Sequence, residues 1–432
     1  MWAAAAGRYN RNMRSLGGAA GYNTAPPSVL FLDLNSAFAS IEQQYRPELR
    51  GRPVAVCPGA VRASTVISAS REARALGVRT LMRVYEALPI CPDLVLLEPD
   101  AARYREVSER LLRLLDSYSP RVLPLSIDEA AVDLAGTPSL RRDLRELGLE
   151  VKRRLRDEVG DWLTCSVGFS TNIFLAKQAA ELEKPDGLQV IDHRNLEEVF
   201  GRLQLTDLTG ISEANAARMR RAGIVTPVHL LRASQHTLRR QVFGSIVGEA
   251  WYLRLRGHET ESFGEAARKS ISHSHVLPRP VSDPEEVRAL MLRFCDRLGR
   301  RLRKEGMVAG RVEMHVRTDG GSSSHRHRRQ ERLAATQDLY AVARDLWERI
   351  GEPRPIRSMS IALSELSPAA TSQLDLFTAI DRRSDRVSAL QDQLRDRFGE
   401  RAVVPARLLN RTDLAPDRIA FGKLPPVGGR GR

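Results

Sequence analysis

The sequence has few cysteines, few lysines and no long apolar run. Its four cysteines lie far apart, with no Cys-x-x-Cys pair and no close Cys/His cluster: Cys57, Cys91, Cys165 and Cys295. A zinc site and a disulfide framework are therefore not expected, and a reducing cytoplasm fits best. No apolar run approaches the roughly 18 residues that a membrane span needs. Residues 1–27 contain no apolar core of a secretory signal, and we expect a disordered leader there.

Lysine is scarce although the chain is basic. Lys and Arg number 67 against 53 Asp and Glu, which gives a net charge of +14, and only six of the 67 are lysines. This excess runs along the whole chain, which favours a polyanionic partner such as nucleic acid. A basic protein without such a partner remains the alternative. A lysine in such a chain indicates a position where a compact ammonium functions better than a planar guanidinium. Chance is the alternative for any single lysine.

The length and patterning predict several domains. The chain has 432 residues, and 42% of them are hydrophobic. A chain of this length is too long for a single hydrophobic core. Short strands and helices alternate over 28–193 as a mixed α/β unit, including a strand over 65–67 and a helix over 140–159. Short helices separated by glycine-containing turns follow over 194–260. Residues 268–366 have the order β-α-β-β-α-β, which is typical of a split βαβ sandwich, and 367–432 is a polar, arginine-rich tail.

Three carboxylates are the strongest chemical signal. Asp128 and Glu129 are adjacent, and Asp33 lies at the end of a distant buried strand. Carboxylates that converge from separate strands are costly to hold together unless cations neutralise them. Mg²⁺ prefers hard oxygen ligands and accepts substrate phosphates into its shell, so such a site suits two-metal phosphoryl transfer. Taken alone, an Asp-Glu pair is more often part of a solvated turn.

Four segments, taken in order, resemble the motifs of Y-family DNA polymerases of the bacterial polymerase IV type. Phe31-Leu32-Asp33-Leu34-Asn35 through Glu42 resembles the opening motif, and Ser126-Ile127-Asp128-Glu129-Ala130 resembles the second carboxylate motif. Ser166–Lys177 with Lys184-Pro185-Asp186-Gly187 is similar to the third palm segment, and Lys269-Ser270-Ile271 to the entry of the little finger. The resemblance covers roughly residues 28–366.

The resemblance implies an α/β and α+β multidomain fold, a right-hand polymerase. It implies a mixed-sheet palm over 28–42 and 97–193, small fingers over 43–96, and a helical thumb with a helix-hairpin-helix over 194–260. A β-α-β-β-α-β little finger over 268–366 and a tail over 367–432 would complete the chain. The expected activity is low-fidelity translesion synthesis without proofreading, by a monomer that adds dNTPs to a primer on template DNA.

The resemblance also implies roles for individual residues. Two Mg²⁺ ions would be held by Asp33, Asp128, Glu129 and the main-chain carbonyl of Leu34. Phe38 falls where the family places the side chain that excludes a ribose 2′-hydroxyl, although ordinary core packing is its alternative. The positions that would contact the nucleotide, besides Phe38, are Ser68, Arg71, Arg74 and Lys177. The chain departs from the family pattern at Asn35, Ala37, Arg71 and Ala131, which predicts a roomier and more basic nucleotide pocket.

Contacts with DNA and a partner protein are predicted outside that pocket. Leu208–Ser212 resembles a helix-hairpin-helix, in which Gly210 and Ser212 would aim backbone N–H groups at a DNA phosphate, although an ordinary helix N-cap is the alternative. Lys269, Arg326 and Arg328 would also contact DNA, unless the arginines belong to a solvated charge run. The tail peptide resembles the bacterial motif that binds the sliding clamp, the β subunit: Gln373, Leu374, Asp375, Leu376 and Phe377.

Two other functions stay open from the sequence. One is a catalytically silent polymerase-like scaffold that binds DNA and clamp within a mutagenesis complex. Such relatives generally lose the carboxylates that this chain keeps. The other is a generic basic DNA-binding regulator, which explains neither the carboxylates nor the order of the motifs. The sequence therefore favours an active polymerase.

Overall fold

The structure is a computed structural model, and it describes residues 21–59, 61–261, 263, 269–369, 382–409, 411 and 415. The chain forms two compact units: unit 1 contains the described residues up to Phe263, and unit 2 contains those from Lys269 onward. Within these ranges no helix is long and apolar enough to cross a membrane.

The strands are short in unit 1 and long in unit 2. Their bounds are β1 (Val29–Leu34), β2 (Val54–Val56), β3 (Ser68–Ala69), β4 (Val95–Leu97), β5 (Val122–Pro124), β6 (Glu129–Asp133), β7 (Cys165–Ser170), β8 (Leu188–Val190), β9 (Ser270–Val281), β10 (Met307–Thr318), β11 (Gly321–Leu333) and β12 (Ile356–Pro368).

Several helices begin at a side chain that caps the first turn, such as Asp100, Asn172 and Asp283. The helix bounds are α1 (Ala37–Tyr45), α2 (Arg71–Ala75), α3 (Val84–Ile90), α4 (Ala101–Asp116), α5 (Leu144–Arg154), α6 (Ile173–Leu182), α7 (Leu196–Gly201), α8 (Glu213–Arg221), α9 (Pro227–Arg232), α10 (Gln235–Thr237), α11 (Val247–Leu255), α12 (Pro284–Lys304), α13 (Thr336–Ile350) and α14 (Arg382–Phe398).

A five-stranded sheet of order β5-β6-β1-β7-β8 organises the first part of unit 1. Its central strand β1 pairs antiparallel with both β6 and β7, and its residues are almost all buried. One face packs on α1, α4 and α5, while α6 covers the other. A continuous apolar strand is expected at such a doubly covered position. Both ends of this strand are thereby fixed, including the end that carries Asp33.

Two smaller layers complete unit 1. A three-stranded sheet of order β3-β2-β4 packs with α2 and α3 around a separate small core. The helices α7 to α11 enclose another core, with Phe200 and Trp251 among its buried aromatics. Phe174 of α6 belongs to that core as well, so α6 contacts both the five-stranded sheet and this helical layer.

Unit 2 has the predicted order β-α-β-β-α-β, and its antiparallel sheet runs β11-β10-β12-β9. Helices α12 and α13 pack on one face around a core that includes Phe294 and Trp347. The last helix, α14, also packs on this unit. Its buried Arg395 makes two hydrogen bonds of 3.0 and 3.1 Å to Asp296 of α12, and Arg303 pairs with Asp392 at 2.7 Å. Part of the predicted tail is therefore attached to unit 2.

The structure differs from the sequence-based elements at two places in unit 1. The helix predicted over 140–159 begins at Leu144 and ends at Arg154, and a single wider π turn continues it to Val159. The strand predicted over 65–67 is displaced to Ser68–Ala69, and Thr65 makes only an isolated bridge to Arg83. Tertiary pairing thus outweighs the β-branched composition of 65–67.

Candidate active site

The sheet register brings the predicted carboxylates to one place. Asp33 and Glu129 are direct partners across β1 and β6, so their side chains lie on the same face. Asp128 directly precedes β6, and its main-chain carbonyl accepts the N–H of Leu34 at 2.9 Å. All four residues line one cavity of 1110 Å³. Adjacent acids reach a common site here because Asp128 lies where the regular strand has not yet begun.

Two of the rare lysines neutralise these carboxylates. Lys177 of α6 forms an ion pair with Glu129 and lies 5.1 Å from the centre of the Phe31 ring. Lys184, in the turn after α6, is 3.1 Å from Asp33 and 2.7 Å from Glu181. Burial raises the pKa of Asp33 to about 7 against the opposing effect of Lys184, and the negative charge of Asp128 raises it further. The pair with Asp33 in turn raises the pKa of Lys184 despite its desolvation.

The cavity offers carboxylate oxygens to a divalent metal. In the part of the chain that the structure describes, no three His, Cys, Asp or Glu side chains lie close enough together to hold an ion. The ammonium groups of Lys177 and Lys184 instead occupy positions beside Glu129 and Asp33 where cations are favoured. Hard carboxylate oxygens facing an open, polar cavity are the ligands that Mg²⁺ prefers. The residues therefore fit the metal in chemistry.

Phe38 lies in the wall of the cavity with a rigid support behind it. Its ring stacks on Tyr104 with centroids 4.4 Å apart and an angle of 10° between the planes. The Tyr104 hydroxyl donates to the fully buried Glu42 at 2.8 Å, and Arg103 pairs with the same carboxylate at 3.1 Å. Phe38 itself is buried. It is thus both a core residue and a cavity residue.

The other predicted nucleotide contacts line the same cavity. Ser68 accepts the N–H of Ala39 and donates to the carbonyl of Ser36, both at 3.2 Å, so its hydroxyl joins β3 to α1. Arg74 is held by the carbonyl of Ala69 and the hydroxyl of Thr80. The side chain of Arg71 is 67% exposed at the cavity. Together with Lys177 and Lys184, the two arginines place cations on a cavity wall that also carries the three carboxylates.

The departures from the family pattern have different structural consequences. Asn35 donates to Ser166 at 2.9 Å, and its carbonyl oxygen accepts from Thr164 at 3.2 Å and from the N–H of Asp186 at 2.9 Å. The side chain of Asn35 therefore connects the end of β1 to β7 and to the turn that carries Lys184. Ala131 is fully buried beneath α6 and is not among the residues that line the cavity. Ala37, in contrast, lines the cavity.

The predicted hairpin lies before α8. Gly210 has a φ of 86°, a value that favours glycine, and the N–H of Ile211 donates to the carbonyl of Leu208 at 3.0 Å. Ser212 is the N-cap residue of α8, but its side chain makes no capping hydrogen bond. The element before the turn is a single 3₁₀ turn, Leu205–Asp207, rather than a full helix. The side chain of Ser212 is consequently not used in holding α8.

The predicted basic DNA contacts lie on or beside the sheet of unit 2. Arg326 is exposed and lies opposite Glu313 in the register of β10 and β11, and Arg328 lies opposite Arg311. The neighbouring residues His325 and His327 are the register partners of buried Met314 and Val312, so the register places Arg326 on the face opposite α12 and α13. Lys269 is exposed directly before β9. The predicted clamp-binding peptide, Gln373–Phe377, lies outside the described residues.

Lys184 and Trp162 are among the cavity residues that lie outside the predicted site. Lys184 is one of only six lysines and lies in a family-like segment, and that scarcity is the signal that could place it in the site. Trp162 lies just before β7 and has no comparable signal in the sequence beyond the rarity of tryptophan, which occurs four times.

Two family models match this chain. Residues 32–181 match the impB/mucB/samB family, and residues 268–376 match its C-terminal domain. The first range contains all three carboxylates, and the second contains the sheet of unit 2.

Similar proteins are found among curated sequences and solved structures. The chain is 33% identical to a DNA polymerase IV of Pelotomaculum thermopropionicum, over 90% of this chain and 97% of that protein. It is 35% identical to a DNA polymerase IV of Moorella thermoacetica, over 87% and 94%. A Y-family DNA polymerase chimera superimposes with a TM-score of 0.68 at 23% identity, covering 78% of this chain and 98% of the other. This likeness confirms the predicted fold class.

Proposed function

Because this chain belongs to the Y family of translesion DNA polymerases, matched here by the impB/mucB/samB models, we propose that the cavity around Asp33, Asp128 and Glu129 is its polymerase active site. The protein is a DNA-directed DNA polymerase related to bacterial polymerase IV. One observation carries the site assignment: Asp33 and Glu129 are register partners at the strand ends where Asp128 joins them, in a cavity that Lys177 and Lys184 also line.

We propose Asp33, Asp128, Glu129 and the carbonyl of Leu34 as ligands of two Mg²⁺ ions. When bound, the ions would lower the pKa of the primer 3′-hydroxyl and neutralise the charge that develops on the phosphates. Ser126 donates a hydrogen bond to Asp128 and thereby orients one carboxylate. Lys177 and Lys184 balance the charges of Glu129 and Asp33.

The remaining wall of the cavity suits a deoxynucleoside triphosphate. Arg71, Arg74, Lys177 and Lys184 present cations around a space of sufficient size, and cations of this kind bind phosphate oxygens by charge-assisted hydrogen bonds. Phe38 closes the wall near the carboxylates, and Tyr104 prevents its ring from moving backwards. We propose that this rigid ring excludes a ribose 2′-hydroxyl.

We further propose DNA contacts through the backbone at Gly210 and Ser212 and through Lys269, Arg326 and Arg328. Exposed cations on a sheet face and N–H groups at a turn contact phosphates without reading sequence. We propose that Gln373–Phe377 binds the sliding clamp and that the polymerase is a monomer located in the cytoplasm. Four unpaired, buried thiols are consistent with a reducing compartment.

Primer extension tests the site assignment. Asp128→Asn and Glu129→Gln should each reduce extension by roughly a hundredfold or more, because the charge that holds the metal is removed. Binding to the primer-template should persist, since the phosphate contacts remain. Asp133→Asn is the matched control, because Asp133 lies at the other end of β6 and pairs with Arg121.

The outcomes separate the alternatives. Wild-type protein that binds DNA and clamp but extends no primer under any dNTP and Mg²⁺ condition would instead be the silent scaffold. Full activity of both carboxylate variants would place the active site elsewhere.

A separate titration tests the clamp assignment. Replacing Leu376 and Phe377 with Ala should abolish binding to purified clamp, because two large apolar side chains would contribute roughly 3–6 kcal/mol before ordering costs. Asp375→Asn should bind nearly as well as wild type, since a rim charge is well solvated. Extension of short primers without clamp should be unchanged in both variants. Unaltered clamp affinity of the double alanine variant would show that the contact lies elsewhere.

A further inference from the structure

Trp162 is held in the cavity wall by several side chains at once. Its indole N–H donates to Gln43 at 3.1 Å, and its backbone N–H donates to Gln44 at 2.7 Å. The guanidinium carbon of Arg50 lies 5.2 Å from the centre of the ring, and Arg50 itself makes two hydrogen bonds of 2.9 Å to Asp161. The ring is therefore a fixed surface beside the cavity.

The same network reaches the helix that carries Arg71. Gln43 is buried, and its amide donates to the carbonyls of Leu49 and Arg52 and to the carboxylate of Glu72 at 3.2 Å. Glu72 is the neighbour of Arg71 at the start of α2. The Gln43 side chain consequently links the tryptophan directly to the first turn of α2.

Arg71 lies at the open end of this network. Its guanidinium carbon is 6.0 Å from the centre of the Trp162 ring, at the limit of a cation–π contact. Its ion pair with Glu72 spans 3.8 Å, which is too long for a hydrogen bond. The exposed Arg71 side chain lines the cavity together with Asp33, Arg74 and Lys184.

We propose that Trp162 is a positioning residue that holds the Arg71 guanidinium towards the phosphates of the incoming nucleotide. This inference rests on the proposed nucleotide site and adds a residue outside the motifs that identify it. Arg71 supplies a planar set of donors to phosphate oxygens, and a flat ring keeps that plane in one orientation. Trp162 acts only through Arg71 and touches no reacting atom.

The role predicts a specific pattern of binding. Loss of Arg71 removes a charged hydrogen bond to phosphate, which should weaken dNTP binding about tenfold. Loss of the Trp162 ring leaves the arginine in place but unsupported, which should weaken binding about two- to fivefold. Both losses should raise KM and leave kcat nearly unchanged, because the contact is made equally in ground state and transition state. Monophosphate binding should change little.

Calorimetry on the full chain tests this pattern. The protein is bound to primer-template with a dideoxy-terminated primer, so that no bond forms, and is titrated with dNTP, dNDP and dNMP. The variants are Arg71→Leu, Trp162→Leu, Trp162→Phe and the double variant Arg71→Leu/Trp162→Leu. Arg113→Leu is the control, because Arg113 is an exposed arginine of α4 that does not line the cavity. Melting temperatures identify any variant that is not folded, and Trp162→Phe retains an aromatic face for that case.

The expected result is non-additive. The double variant should bind dNTP no more weakly than Arg71→Leu alone, and Trp162→Phe should lie between Trp162→Leu and wild type. Additive losses, or equal losses for dNMP and dNTP, would overturn the inference. A wild-type protein that binds dNTP normally but extends no unblocked primer would count against the proposed function and leave this contact standing.

Discussion

Gly168 of β7 should be intolerant of even one additional methyl group. A Cβ atom built there would lie 2.1 Å from the carbonyl oxygen of Ala176, 2.4 Å from the backbone nitrogen of Ala180 and 2.9 Å from the Cβ of Ala179. Two of these three are backbone atoms of α6, which cannot rotate away as a side chain can. Gly168→Ala therefore requires the whole helix to move away from the sheet.

The size of the effect follows from the distances. An ordinary contact needs about 3.4 Å, so α6 must shift by roughly 1.3 Å from the sheet. Overpacking a core usually costs about 1–3 kcal/mol, and a backbone clash belongs at the upper end of that range. Helix α6 also carries Lys177, so the ion pair with Glu129 moves with it. A displacement of about 1 Å near reacting groups reduces rates by roughly a hundredfold.

Urea unfolding and primer extension measure the two consequences. We expect Gly168→Ala to lose about 3 kcal/mol of unfolding free energy and most of its activity. Gly201→Ala is the matched control, because a Cβ at the end of α7 meets nothing within 4 Å. That control should be stabilised by about 0.5–1 kcal/mol. A Gly168→Ala protein with wild-type stability and activity would refute the close approach of α6 to β7.

Three further predictions concern single side chains. Phe38→Ala should raise ribonucleotide incorporation relative to deoxyribonucleotide in competition assays, and an unchanged ratio would assign Phe38 to the core alone. Lys177→Arg should raise the KM for dNTP, because a guanidinium does not fit the place of the ammonium beside Glu129. Lys304→Arg is the control and should have no effect, because Lys304 is exposed. If both variants behave like wild type, the placement of the lysines is a coincidence. Burial raises the pKa of Glu259 to about 7. Between about pH 4.5 and 7 the folded protein therefore keeps a proton on Glu259 that the unfolded chain releases. The free energy of unfolding should consequently fall as the pH rises through this range. Glu259→Gln should flatten that fall by up to about 3 kcal/mol in urea titrations at several pH values, and an identical slope would contradict the assignment.

Local signals predicted the order of the elements in unit 2. Helix α12 runs from Pro284 to Lys304 because Asp283 caps it, proline fits its first turn and its apolar positions recur with a helical period. The lengths of the strands depend on their partners, and β12 continues to Pro368 because its pairing with β10 continues to Met307. These partners lie about sixty residues apart in the sequence, and no local pattern reveals the pairing.

The candidate site was predictable in its carboxylates and not in their surroundings. Asp33, Asp128 and Glu129 are recognisable from short motifs, and their meeting point follows from strand ends. Trp162 reaches the cavity because Gln43 and Gln44 of α1 hold it there, across more than a hundred residues of sequence. Ala131 shows the opposite case: it directly follows a motif, yet its side chain faces the core beneath α6.

The attachment of α14 makes the chain beyond β12 part of the packing of unit 2. The side chains of Arg395 and Asp296 are 3% and 7% exposed and neutralise each other. If α14 were removed, Asp296 would stay in α12 as a buried carboxylate without its cation, which is strongly destabilising. A protein truncated after Pro368 would therefore lose stability in the part of unit 2 that remains, as well as its last helix.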